Sequence, residues 1–220
     1  MFNFLRKRNL VFGMSKNSLL LGAFALVTTA ILAFTSEATK ERIQKSERDA
    51  QQKALFEIVP RESHDNDMLI DKIKVPEDAW AGLGLKSGGE IYVARKVDET
   101  IAIIIPAIAP DGYSGDIRMI IGINASGRVA GVRILDHHET PGLGDQIDIK
   151  KTDWVLSFNG KSINSPELSR WKVKKDGGDF DQFAGATITP RAVVNQVRRV
   201  LEFADSHRDE LFKKNKLGVE

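Results

Sequence analysis

Ile117-Arg118-Met119-Ile120-Ile121-Gly122-Ile123, then Asn124-Ala125-Ser126-Gly127, then Arg128-Val129-Ala130-Gly131-Val132-Arg133-Ile134, is the stretch that decides the fold. Two strand-like runs flank a short polar connection ending in glycine, a hairpin signal that makes at least part of the sheet antiparallel. Toward the N-terminus, Thr100 to Ile105 and Ile91 to Val97 read as two further strands. The unbroken run Ile101-Ala102-Ile103-Ile104-Ile105 predicts a strand covered on both faces. Residues 61–89, with His64-Asp65-Asn66-Asp67, Pro76 and glycines at 82, 84, 88 and 89, read as loop with short elements. Toward the C-terminus, Val193, Val194, Val197, Val200, Leu201 and Ala204 recur at helical spacing, with Arg191, Arg198 and Arg199 on the polar face. Thr189 is the expected cap of that helix, and Pro190 suits its first turn. The fold class is therefore α+β: a largely antiparallel sheet with flanking helices over residues 61–208, followed by a charged tail at 209–220 that is expected to fray.

The first sixty residues are of a different kind. From Asn17 to Ser36 there is no charge, and Leu19, Leu20, Leu21, Phe24, Leu26, Val27, Ile31, Leu32 and Phe34 fill the stretch. A helix of that length spans about 30 Å, the thickness of a bilayer's hydrocarbon core. Arg6, Lys7, Arg8 and Lys16 precede it, with no acid among residues 1–16. The positive-inside rule then keeps residues 1–16 cytoplasmic, makes 17–36 a single transmembrane helix and sends 37–220 across the membrane. A cleaved signal peptide is the alternative, but Ser36-Glu37-Ala38 is a poor cleavage site and the apolar run exceeds a usual signal core. Residues 37–60 are charge-rich, and Ile43, Ala50, Ala54, Leu55 and Ile58 recur at three- and four-residue steps until Pro60. This predicts a juxtamembrane helix, either a solvated stalk or one that lays its apolar stripe on a partner.

Composition narrows the chemistry. The 220 residues carry 32 basic and 30 acidic side chains, a net charge of +2, which provides no basic footprint for nucleic acid. There is no cysteine, so disulfides, thiolate zinc sites, covalently attached c-type haem and cysteine-held iron–sulfur clusters are excluded. The phosphate-loop, dinucleotide, esterase and zinc-protease signatures are missing as well. His137-His138-Glu139 invites a metal, but adjacent strand residues point to opposite faces, so no metal ligand is assigned.

Two segments stand out beyond packing. Glu139-Thr140-Pro141-Gly142-Leu143-Gly144-Asp145 sets two glycines and a proline around one leucine, either a plain connection or a thin fixed loop that lets backbone approach a ligand. Asp181-Gln182-Phe183-Ala184-Gly185-Ala186-Thr187-Ile188-Thr189-Pro190 puts small residues and a hydroxyl before a helix N-terminus. Free N–H groups and the positive dipole end suit a phosphate there, and Gly185 and Ala186 remove bulk; an ordinary cap formed by Thr189 or Thr187 is the other reading.

These runs, with Gly112-Tyr113-Ser114-Gly115 and Trp171-Lys172-Val173-Lys174-Lys175-Asp176-Gly177-Gly178, resemble the G subunit of the Rnf (Rsx) ion-translocating electron transport complex. That family is related to the C subunit of the sodium-translocating NADH:quinone reductase, and both carry an FMN-binding domain. The resemblance covers nearly the whole chain. It implies a flavinylation motif, D-x-x-[ST]-G-A-T, with Asp181 as its acid and Thr187 as the threonine that bears FMN through a phosphoester; Ala184 replaces the usual hydroxyl residue. It further implies that Thr140 and Leu143 lie near the isoalloxazine ring, with Lys174 near the cofactor. The implied protein is an electron-transfer flavoprotein of the bacterial inner membrane, its C-terminal domain periplasmic, within a complex coupling ferredoxin–NAD electron transfer to ion translocation. Its partners would be the A, B, C, D and E subunits of the Rnf complex and a flavin transferase, and no independent catalysis is expected of it. The C subunit of the quinone reductase and a cofactor-free membrane-anchored adaptor are the alternatives; His137-His138 and the Lys174–Gly178 run favour Rnf.

Overall fold

Between Gly22 and Pro60 neither glycine nor proline interrupts the chain, and one helix, α1 (Phe2–Ile58), runs through the whole of it. The computed structural model describes residues 2–213; within α1 it describes side chains at 18–36, 38–40, 45, 49 and from 52 onward. Arg6, Lys7, Arg8, Lys16, Ile43 and Ala50 of the sequence reading, and tail residues 214–220, lie outside the described side chains. Two compact units divide the chain, residues 1–51 and 52–220.

In the first unit, Ser18–Lys40 is a helical stretch of 23 residues long and apolar enough to cross a membrane. Leu19, Phe24, Leu26, Ile31 and Phe34 are all exposed, so no protein core covers this stretch. The hydroxyls of Thr28 and Thr35 donate to the carbonyls of Phe24 and Ile31, each at 2.8 Å. Both polar groups are thereby satisfied within the helix, as a hydrocarbon environment requires.

The second unit is built on a five-stranded meander, β1 (Lys72–Lys74), β2 (Glu90–Lys96), β3 (Glu99–Ala109), β4 (Ile117–Asn124) and β5 (Val129–Asp136), in that order and antiparallel throughout. The four strands read from the sequence are all present. The short β1 is added at the edge, where three residues are too few for alternation to show and its lysines discourage further pairing. The Asn124 side chain accepts from the amides of Ser126 (3.0 Å) and Arg128 (3.1 Å), which closes the hairpin.

β3 is covered on both faces, as its unbroken apolar run predicts. One face, with Ile103, Ile105, Ile121 and Ile123, meets helix α3 (Ile188–Ser206), which buries Val193, Val194, Val197, Val200, Leu201 and Ala204. The other face, with Ala94, Ala102, Ile104 and Ile120, receives Leu55 and Ile58 from the end of α1 together with Val59 and Met68. The stripe of the juxtamembrane helix thus lies on the protein's own sheet at Leu55 and Ile58. A Cβ on Gly122 would come within 2.2 Å of Ile58 Cγ2, so the Gly122↔Gly131 pair across β4 and β5 forms the hollow that Ile58 fills. Burying such an aliphatic side chain stabilises by about 1.5–3 kcal/mol.

The tail expectation needs correcting. A further turn, α2 (Trp80–Leu83), precedes β2, and α4 (Arg208–Leu211) follows α3. Leu211 is 3% exposed and belongs to the core, so an apolar residue anchors the start of what charge alone reads as tail.

Candidate functional site

Between β5 and α3 the chain makes 3₁₀ turns and loops around a cluster of aromatic rings. Phe158 stacks on Phe180 at 4.8 Å and on Trp171 at 6.3 Å, and Trp154 meets Phe183 edge-on at 5.2 Å. The Trp154 indole N–H also donates to the Asp181 carbonyl at 2.8 Å. These contacts hold residues 181–187 in place before α3 begins. Arg191 adds a two-pronged ion pair to Asp176, at 2.7 and 3.0 Å, tying the 174–176 turn to the first turns of the helix. The guanidinium holds the Asp176 carboxyl below the usual carboxylate range, and the carboxylate in turn raises Arg191.

Thr187, not Thr189, occupies the N-cap position, and its hydroxyl makes no capping hydrogen bond. The expectation that Thr189 caps the helix is therefore corrected: Thr189 is buried, and its hydroxyl donates to Glu139 Oε2. Glu139 is 4% exposed, and its Oε1 accepts the Ser114 amide at 2.9 Å. One carboxyl group therefore joins the β3–β4 connection, the loop after β5 and the start of α3. Gly144 is required beside it, because a Cβ there would lie 2.8 Å from both Glu139 Oε2 and Thr189 Oγ1.

Those three segments enclose a cavity of about 300 Å³. Thr140, Leu143, Gly185, Ala186 and Thr187, all singled out in the sequence, line it, and Tyr113, Glu139, Gly144, Ile188 and Thr189 complete the wall. The Thr140 carbonyl accepts the amides of Leu143 and Gly144, each at 3.1 Å, folding the loop so that Leu143 stands at the mouth, 41% exposed. Gly185, with φ at +78°, adopts a left-handed conformation that a residue with a side chain would resist. Lys174 and Asp181 are not brought to the cavity; they pair with each other at 2.6 Å on the exposed surface. His137 and His138 also part company. His137 Nδ1 accepts the Glu139 amide at 3.2 Å, while His138 faces a separate groove with Asp136 and Arg118. Tyr113 and Glu139 sit in the quoted runs, but nothing in their local pattern marks them as cavity residues. Both reach the wall only because the antiparallel register sets the β3–β4 connection and the end of β5 at the same end of the sheet.

The cavity has the parts a flavin mononucleotide needs. Its volume is at the lower end of ligand pockets, the leucine and tyrosine offer apolar surface to a flat ring, and a helix N-terminus with free N–H groups and an uncommitted hydroxyl stands where a phosphate is favoured. Comparison with known proteins agrees. Residues 112–202, which include every residue lining the cavity, match the family described as FMN-binding domain. Residues 13–58 match the RnfG N-terminal region. The chain is 51% identical to the G subunit of the ion-translocating oxidoreductase complex of Shewanella amazonensis over 90% of this chain and 91% of that one. It is 48% identical to the corresponding protein of Pseudomonas aeruginosa, covering 90% and 92%, and 45% identical to that of Vibrio vulnificus, covering 89% and 92%. Such identity along nine tenths of both chains leaves one conclusion: the protein belongs to the RnfG family, the G subunits of ion-translocating oxidoreductase complexes, and carries its FMN-binding domain.

Proposed function

We propose that this protein carries FMN as a phosphoester on Thr187 and passes electrons within a membrane complex that couples ferredoxin–NAD electron transfer to ion movement. The observation that carries this reading is the Thr187 hydroxyl: it lines the cavity, heads α3 and is not spent on capping. The Thr187 oxygen–phosphorus bond would form on a flavin transferase as the phosphoanhydride bond of a flavin dinucleotide breaks, with the other nucleoside monophosphate leaving and the hydroxyl proton released. The product's negative charge then rests on the helix N-terminus, where N–H groups and dipole favour it. Thr140 and Leu143 flank the ring, and Gly185 and Ala186 keep bulk away from the linkage. Asp181 and its partner Lys174, exposed and outside the cavity wall, serve attachment and not the bound cofactor. When bound, FMN supplies one- and two-electron chemistry without a metal or sulfur ligand, which suits a chain with no cysteine.

The Ser18–Lys40 stretch is the anchor, and the unit from residue 52 onward lies outside the cytoplasm, with the A to E subunits of the complex as partners. A covalent bond keeps a cofactor that would otherwise diffuse away there. From Ser18 to Ser36 the span carries no charge, so ion passage belongs to other subunits. The test is peptide mapping by mass spectrometry of protein taken from its native membrane. FMN mass on the Thr187 peptide is expected; an unmodified peptide from flavin-replete cells overturns the assignment.

A further inference from the structure

We propose that Glu139 sets the reduction potential of the flavin: a carboxylate built into the cavity wall that makes the site harder to reduce. The inference rests on the reading that FMN occupies this cavity. Among the described residues that line it, Glu139 is the only Asp, Glu, Lys, Arg or His. Both of its oxygens are hydrogen-bonded, Oε1 by the Ser114 amide at 2.9 Å and Oε2 by the Thr189 hydroxyl.

The chain makes room for this group at Gly144. A Cβ on Gly144 would lie 2.8 Å from Oε2, whereas one on Gly112 would first meet the Gly115 carbonyl oxygen at 2.2 Å and then Glu139 Oε1 at 3.0 Å. Holding a carboxyl group with only 4% of the residue exposed is costly unless its oxygens are bonded, as both are here. What a carboxylate adds is charge in a place where water screens it little. Each electron that enters the cavity brings negative charge, or must bring a proton with it, beside a fixed negative group. Coulomb repulsion at close range and reduced dielectric therefore shifts the reduction equilibrium toward the oxidised cofactor. The Thr189 and Ser114 donors keep the carboxylate turned along the wall.

The experiment uses the full-length protein, made together with its flavin transferase and purified in detergent, and reads the potential of the bound flavin by spectroelectrochemical titration. Glu139→Gln keeps the size of the side chain and removes the charge. Its potential is expected to rise by a tenfold or larger change in the one-electron equilibrium, which is 59 mV. Glu139→Asp keeps the charge on a shorter arm; it is expected to lower the thermal midpoint while holding the potential within a third of the Gln shift. An unchanged potential in flavin-loaded Glu139→Gln overturns the proposal and leaves Glu139 as a clamp only. If Glu139→Gln fails to fold, a rise of 59 mV or more in Glu139→Asp overturns it, since the charge is retained there. Wild-type protein whose flavin maps elsewhere than the cavity-lining peptides overturns both this proposal and the site reading beneath it, and that result is read before any variant is made.

Discussion

Thr187 and Thr189 are two residues apart, carry the same side chain and do different things. The first heads α3 with its hydroxyl uncommitted, whereas the second is buried and bonded to Glu139. Thr187→Val keeps the β-branched shape, so the protein is expected to fold normally and lose its denaturation-resistant flavin fluorescence in gels. Undiminished fluorescence would place the linkage on another residue. Thr189→Val is expected to keep the flavin but to cost about 1–3 kcal/mol, because it removes the partner of a buried carboxylate oxygen. Chemical denaturation of the two variants side by side separates the roles. Asp176 offers a third test at this scale. Its carboxyl titrates below the ordinary range because of Arg191, so the folded state binds the proton less readily than the unfolded chain. The pair's stabilisation is therefore present at neutral pH and fades as pH falls through the depressed value. The thermal midpoint gap between wild type and Asp176→Asn should close on acidification below the ordinary carboxylate range; a gap that persists there would mean that Arg191 is not its source.

At the scale of elements, the end of α1 and the sheet are matched by shape. Ile58 sits against Gly122 and Gly131, and a methyl group on Gly122 would meet it at 2.2 Å. Gly122→Ala is expected to destabilise the second unit by about 1–3 kcal/mol through overpacking. Ile58→Ala empties the same hollow and should cost about 2–5 kcal/mol. The double variant relieves the clash, so it should be more stable than the sum of the single effects predicts. Strict additivity in urea melts would show that the helix end does not dock in this hollow. The apolar stripe at Leu55 and Ile58 is visible in the sequence, but its partner is not. Only the meander brings two glycines side by side beneath it.

On the scale of the whole molecule, a long apolar helix precedes a domain whose core is complete on both faces of its sheet. The basic N-terminus predicts that the domain lies across the membrane from the cytoplasm. A C-terminal fusion to a reporter that works only outside the cytoplasm should be active, and one to a reporter that works only inside should be silent. The reverse pattern would overturn the topology and the partners drawn from it.

Much of this protein was settled by the chain itself. Strands β2 to β5, the hairpin at Asn124–Gly127, helix α3 and the apolar stretch near the N-terminus all follow from periodicity and turn chemistry, which act between neighbours in sequence. The loop from Glu139 to Asp145 and the small residues before α3 mark the site for the same reason: thin backbone and a helix start are local properties. Tertiary structure decided what depends on distant residues meeting. It moved the N-cap from Thr189 to Thr187, because Glu139, fifty positions earlier, takes the Thr189 hydroxyl. It brought Tyr113 and Glu139 into the cavity wall, left Lys174 and Asp181 outside it, and anchored Leu211 in a core that tail composition does not announce. A buried carboxylate is stable only where its donors converge from separate elements, and convergence is a property of the folded chain alone.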